Sequence, residues 1–241
     1  MSIFKKIITR SGNPETYQSE DRLKAYRRLR KETSDLHLKV SDFMSSKKTV
    51  EQAAKALGLF EGKTIIMEDE NDIAFIMDYS IYEAKVGTQV SIQYFYDYGP
   101  ELSAKEDEYL ENMLENRISL FEIIGFNPEN YTVNLKNILY GDEVYTITDV
   151  AMSSKTDQIG ALLFSRIFTF GNINMTGGAA MAFDSVDRAE IIKRLGLQQF
   201  TKRRKLSPAE LYVFFYRTFR SIGATIHLED NHSWIYYTTT T

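Results

Sequence analysis

The sequence predicts an α+β fold, in which a helical N-terminal half packs on a mainly antiparallel β-sheet and further helices lie near the C-terminus. Three changes of pattern predict it. Apolar residues recur every three or four positions at first, alternate with polar residues after about Tyr131, and return to helical spacing near Asp187. No linker or repeat interrupts the 241 residues. We therefore expect one domain, with 15–125 mostly helical around one strand and 126–241 sheet-rich with two helices.

The first predicted helix spans residues 19–46. Its apolar stripe repeats at spacings of three and four, which places six side chains along one face: Tyr26, Leu29, Thr33, Leu36, Val40 and Phe43. His37 lies beside this stripe and is expected at the boundary with solvent or on the surface. The other faces carry a basic series: Lys24, Arg27, Arg28, Arg30 and Lys31. We expect the stripe to dock on the protein's own core, with a coiled-coil pair as the alternative.

Three more helices are predicted before Tyr131. Capping and stop residues delimit one at 49–58, and a second follows an acidic run and continues to about residue 84. A third begins with the capping box at Ser103 and continues to Gly125. Between the second and the third, the stretch 90–96 alternates apolar with polar side chains, which predicts a strand with one buried face.

After Tyr131 the alternation predicts two hairpins, with turns at 141–142 and 171–172. The return strand of the second hairpin contains Gly177 and Gly178 in the stretch MTGGAAMAFD. This stretch lacks the residue spacing of a phosphate-binding loop, and no helix pattern follows the glycines. We therefore expect the pair to form a bulge, or a place where a helix packs closely on the sheet, and no cofactor is predicted.

The C-terminal part is predicted to hold a helix over about 187–195, a second from the capping sequence at Ser207 to Gly223, and a last strand over about 225–228. The stretch HLEDNH follows within and after this strand. Imidazole and carboxylate side chains at such short spacing can bind a metal ion or support acid–base chemistry. The candidate ligands are His227, Glu229 and His232.

The composition is that of a soluble globular protein, with 43% hydrophobic and 26% charged residues. The absence of cysteine excludes thiol nucleophiles, disulfides and thiolate metal sites, and fits a reducing compartment. No apolar segment approaches the roughly 20 residues that cross a bilayer, so we expect a cytoplasmic protein with no membrane contact. Fifteen tyrosines and fifteen phenylalanines are the unusual feature, and such side chains favour cross-strand pairs and interfaces.

The primary functional prediction is a non-catalytic binding or interaction module for a protein or small-molecule partner, because neither GxSxG nor HExxH occurs. Self-association would use the 19–46 helix or the aromatic strands. The alternative is an enzyme that uses the 227–232 segment or a pair of carboxylates. Such a pair is defined by spatial separation rather than by sequence spacing, for example Asp78 with Glu83 or Glu122.

A third prediction concerns the clearest basic patch, which is a run of four residues: Lys202, Arg203, Arg204 and Lys205. Clustered lysine and arginine can contact nucleic acid or an acidic partner. The net charge of −4 argues against nucleic acid, and a solvated loop between two helices accounts for the same run.

Overall fold

The structure, a computed structural model, describes residues 19–67, 69 and 71–222, with side chains from Asp21 onward. The N-terminal half is helical: α1 (Ser19–Met44), α2 (Thr49–Leu57), α3 (Asp72–Tyr82), α4 (Ser91–Tyr98) and α5 (Ala104–Leu114). Between these helices lie two antiparallel pairs of two-residue strands: β1 (Phe60–Glu61) with β2 (Thr64–Ile65), and β3 (Lys85–Val86) with β4 (Gln89–Val90). Short 3₁₀ turns occupy Ser45–Lys47, Pro128–Asn130 and Ser185–Asp187.

The second half contains five longer strands and three helices. The strands are β5 (Arg117–Asn127), β6 (Thr132–Asn137), β7 (Val144–Thr148), β8 (Leu162–Phe170) and β9 (Ile173–Phe183). The helices are α6 (Val150–Ser153), α7 (Arg188–Lys202) and α8 (Pro208–Ile222). The α+β prediction is confirmed, with the difference that the five strands close into a barrel rather than an open sheet.

The strands follow each other around the barrel in the order β5-β6-β7-β9-β8, and β8 pairs again with β5. The ladders are antiparallel except where β7 meets β9 in parallel, with Ile147 opposite Asn174. Strand β5 can pair on both sides because it is long and bends at a register shift between Ile123 and Gly125. This Greek-key connectivity is the topology of the OB-fold, a frame that hosts many functions and does not by itself specify one.

Strands β8 and β9 bury both of their faces. Inward side chains fill the barrel together with Phe121 and Ile147. On the outer face, Phe164 and Met181 pack against α2, α3, α7 and α8, whereas Phe168 and Met175 pack against α1, α4 and α5. The helices therefore form two groups on the same pair of strands, and the middle of β8 lies at the boundary between these groups.

The predicted packing of α1 on the protein's own core is confirmed. Five of the six stripe residues are buried, and Phe43 is half-buried against Tyr94 and Phe95. His37, expected near the surface, is buried as well, because α3 and β8 cover that side of the helix and bring the Tyr82 and Phe168 rings against the imidazole. The stripe is thus occupied within the chain.

Two predicted elements of the N-terminal half are wrong. The stretch 90–96 is helical from Ser91, and its buried residues Ile92 and Phe95 are three apart, a spacing that the short alternation concealed. The helix from Ser103 ends at Leu114 instead of Gly125. Strand β5 follows. Both of its faces are buried, one against helices and one inside the barrel, so its sequence lacks the polar alternation of a half-buried strand and resembles that of a helix. The change from helices to the barrel strands therefore comes at residue 117, not near residue 131.

Candidate functional site

The glycine pair of β9 forms a bulge, as the sequence predicts. Ser165 pairs with Ala180 and Ile167 with Thr176, so three residues of β9 lie opposite Arg166 alone. Gly178 has a φ of 100°, which an L side chain rarely adopts. A Cβ atom on Gly177 would lie 3.1 Å from the Phe168 ring. The backbone at Gly178 therefore favours glycine, and a side chain at Gly177 would require the Phe168 ring to shift.

Arg30 joins α1 to this bulge. Its guanidinium donates to the backbone oxygen of Thr176 at 2.7 Å and to Thr176 Oγ1 at 2.9 Å, and its Nε donates to Tyr26 Oη at 2.9 Å. The Asp149 carboxylate, which caps α6 by accepting from the backbone N–H of Met152, lies 3.9 Å from Arg30 Nη2. One arginine therefore contacts elements from three parts of the chain: α1, β9 and the start of α6.

A cavity of about 570 Å³ lies between α1, α6 and the bulge. This volume is in the range of sites that hold small molecules. The described walls are largely apolar, with Val150, Ala151 and Met152 of α6 facing Phe168 and Met175 of the barrel. A cavity of this size with apolar walls and a few charged groups is the arrangement that ligand sites share.

The mouth of the cavity carries cations of α1. Arg27 and Lys31 are exposed, line the cavity and lie one helical turn apart. Within the part of the chain that the structure describes, neither side chain forms a hydrogen bond or an ion pair. Elsewhere on the same helix Lys39 pairs with Glu106. Asp35, one turn beyond Lys31, also lines the cavity.

His37 and Tyr82 lie deeper on this side of the barrel. The His37 imidazole lines the cavity, and its Nε2 is 2.6 Å from Tyr82 Oη. Burial lowers the pKa of His37 to about 3, and the Arg166 and Arg30 guanidiniums act in the same direction. The imidazole is therefore neutral at physiological pH, which makes it a hydrogen-bonding group rather than a cation or an effective general base.

The suggested carboxylate pair of Asp78 and Glu83 is brought together, but around an arginine. Arg166 Nη2 lies 3.2 Å from Asp78 Oδ2 and 2.8 Å from Glu83 Oε1, and the guanidinium stacks 4.2 Å from the centre of the Tyr82 ring. A fourth contact goes to Asn116 Oδ1. Arg166, Asp78 and Glu83 are all buried, so this set, the Arg166 cluster, is enclosed by protein.

Burial raises the pKa of Asp78 and of Glu83, although the Arg166 guanidinium opposes that effect. Two carboxylates on one guanidinium satisfy its hydrogen-bond donors and leave little access for a substrate. The other suggested partner, Glu122, lies elsewhere and pairs with Arg188 at 2.6 Å. The pair that the enzyme hypothesis needs is thus present in space, in a setting that fits an internal ion cluster.

The basic patch is partly neutralised by Glu210. Helix α7 continues to Lys202 instead of ending near residue 195, and Arg203 ends it with a φ of 55°. Lys202 and Arg204 both bind the Glu210 carboxylate, at 2.6 and 2.7 Å. That carboxylate also completes the predicted capping box, since it accepts from the backbone N–H of Ser207. Lys202, Arg203, Arg204 and Lys205 are exposed.

The candidate metal ligands His227, Glu229 and His232 lie outside the described residues, as does the last predicted strand. Within the described ranges, no group of three or more histidine or carboxylate side chains is arranged to hold a metal ion. No helix in those ranges is both long and apolar enough to cross a membrane.

The outer face of β6 and β7 is the surface that binds oligonucleotides or oligosaccharides in many OB-folds. Here its outward side chains include Asn134, Lys136 and Thr146. Lys136 is paired with Asp142 at 2.9 Å, and Thr146 donates to Asn134 at 2.8 Å. Single-stranded nucleic acid is bound by basic grooves with stacking aromatic rings, and these side chains supply neither.

Sequence reasoning missed the cavity. It placed Arg30 on an outward face and drew no connection between α1, Asp149 and the glycines. One signal was present, since Arg30 follows Tyr26 by four residues and therefore lies on the same side of the helix. Nothing in the spacing could reveal its partner, because Thr176 is 146 positions away.

The comparisons with known proteins place this site within a family. No curated protein and no solved structure matches the chain. Residues 20–229 match a family described as of unknown function, DUF7986, and this range covers every element of the cavity and of the Arg166 cluster. The match spans most of the 241 residues. The chain therefore belongs to the DUF7986 family.

Proposed function

We propose that this protein is a non-catalytic binding module that holds a small molecule with an apolar body in the cavity between α1, α6 and the β9 bulge. The observation that carries the proposal is the cavity itself, with its volume of about 570 Å³ and its apolar walls. Such volumes enclose most of the surface of a small ligand, and burial of apolar area supplies the main driving force.

The polar groups around the cavity support binding rather than catalysis. Arg30 is occupied by Thr176, Tyr26 and Asp149, and the His37 imidazole is neutral. The buried carboxylates Asp78 and Glu83 are bound to Arg166. Arg30, through Thr176 and Asp149, holds α1 on the barrel beside the cavity, and Asp78, Glu83 and Arg166 lie outside the cavity lining. A fixed wall of this kind is what a preformed binding site requires.

The test uses the neutral apolar dye Nile red as a probe. We expect its fluorescence to rise saturably with the wild-type protein, at one dye per chain. Ala151→Trp should abolish this signal, because the indole fills the space beside Val150 and Met152. Ala189→Trp on the exposed surface of α7 is the matched control and should bind the dye like the wild type. Equal binding to both variants, or no saturable binding to the wild type, would reject the proposed function.

A further inference from the structure

We propose that the ligand of this cavity is an anion, in which an apolar body carries a carboxylate or phosphate group that pairs with Arg27 and Lys31 at the mouth. The inference rests on the proposed function and specifies the chemical class of its ligand. A compact anion is the chemistry shared by both headgroups. An arginine offers two parallel donors to either, and a lysine adds a point charge beside them.

The positions of Arg27 and Lys31 allow both cations to contact a single headgroup. Arg27 and Lys31 are four residues apart on α1, so their side chains leave the same face of the helix. Both line the cavity whose apolar walls lie deeper, at Val150 and Phe168. A ligand that buries its apolar body there leaves its charged end at the level of these two side chains.

The charge balance of the cavity has the sign that this ligand needs. Three cationic and two anionic side chains line it, which leaves one net positive charge: Arg27, Arg30 and Lys31 against Asp35 and Asp149. Arg30 and Asp149 are 3.9 Å apart and offset each other, and His37 is neutral. The remaining excess lies at the mouth of a chain whose net charge is −4, so it is a local feature and not a reflection of composition.

Other cations of α1 differ from Arg27 and Lys31 in their partners or in their position relative to the cavity. Arg30 is held by Thr176, and Lys39 binds Glu106. Lys24 is exposed but does not line the cavity. Arg27 and Lys31 combine two properties, a place at the cavity and no partner among the described residues. A cation at the rim of an apolar cavity costs little in water and gains a partner when an anion enters.

The experiment measures displacement of Nile red by decanoate and by decanol, which share an apolar chain and differ in charge. We expect decanoate to bind more tightly than decanol. Arg27→Gln and Lys31→Gln should each weaken decanoate by about threefold to fivefold, the range expected for a partly exposed ion pair. Decanol and Nile red should bind these variants unchanged. The decanoate advantage should also shrink as salt is raised.

Two control variants test whether positive charge at the cavity, rather than charge anywhere on α1, strengthens decanoate binding. Lys24→Gln removes a charge from the same helix away from the cavity and should leave decanoate binding unchanged. Asp35→Asn removes the anion beside Lys31 and should strengthen it. Decyl phosphate separates the two headgroups, because whichever anion gains more over decanol identifies the ligand class. If decanoate binds no better than decanol and ignores both glutamine variants while Nile red still binds, the inference is overturned and the proposed function stands.

Discussion

The cavity and the Arg166 cluster both adjoin the glycine bulge of β9, but their charged side chains differ in burial and pairing. Gly177 lines the cavity and also a small space of about 10 Å³ beside Asp78. In the cluster, every charged side chain is buried and paired. At the cavity mouth, two cations are exposed and have no partner within the described ranges. From this difference we infer that the buried, paired charges of the Arg166 cluster stabilise the fold, whereas the exposed cations at the cavity mouth are available to a ligand.

The largest expected effect tests the structural side of this comparison. Arg166→Met leaves the carboxylates of Asp78 and Glu83 buried without their cation, and removal of one partner from a buried ion pair costs about 3–5 kcal/mol. We expect that loss in the free energy of unfolding, measured with urea at pH 7. Arg117→Met on the exposed end of β5 is the control and should cost less than about 1 kcal/mol. Similar losses in both variants would contradict an internal role for the cluster.

A second prediction concerns acid stability. Because burial lowers the pKa of His37 to about 3, the unfolded chain binds a proton below pH 6.5 that the folded chain does not. The contribution of His37 to the free energy of unfolding is therefore fully present above pH 6.5 and decreases as the pH falls towards 3. At pH 5 the loss is about 2 kcal/mol.

The measurement compares unfolding free energies at pH 7 and pH 5 for the wild type and for His37→Gln. The variant should lose less stability over this interval, whatever its stability at pH 7. Asp78 and Glu83 have raised pKa values and oppose the trend in both proteins, so the difference between the two slopes isolates His37. Parallel slopes would mean that His37 takes up its proton equally readily in the folded and unfolded chains, so that burial does not lower its pKa.

The smallest expected effect comes from the bulge that adjoins both regions. Gly178→Ala forces a side chain into a φ of 100° and should cost about 1–2 kcal/mol in thermal or urea unfolding. Gly196→Ala in α7 meets no atom within 4 Å and replaces a helical glycine, so it should stabilise by up to about 1 kcal/mol. If both substitutions act in the same direction, the bulge is not the strained element that its geometry indicates.

Much of the fold could be predicted because it depends on local patterns. The stripe of α1, the hairpin turns and the bulge at Gly177 are encoded by residues that are close in sequence. Helix α4 and strand β5 were assigned wrongly for one reason: short segments with apolar residues at mixed spacings fit both periods. Ile118 and Phe121, three apart as on a helix, lie instead on opposite faces of a strand.

The candidate site was much less accessible from the sequence. Barrel closure depends on the pairing of β5 with β8 and of β7 with β9, which no local pattern specifies. The carboxylates Asp78 and Glu83 could be named as a pair, but their partner Arg166 lies more than 80 positions away. Sites assembled from distant segments are determined by tertiary packing, so residue types alone could suggest the groups and not their arrangement.

The distance between α1 and its partner strand along the chain has a consequence for synthesis. Arg30 and Thr176 are 146 residues apart, so α1 leaves the ribosome long before the strands that cover it. At the usual rate of translation this interval is on the order of ten seconds. During that time Leu36 and Val40 can pack only on the helices that precede the barrel, and Arg30 cannot yet contact Thr176.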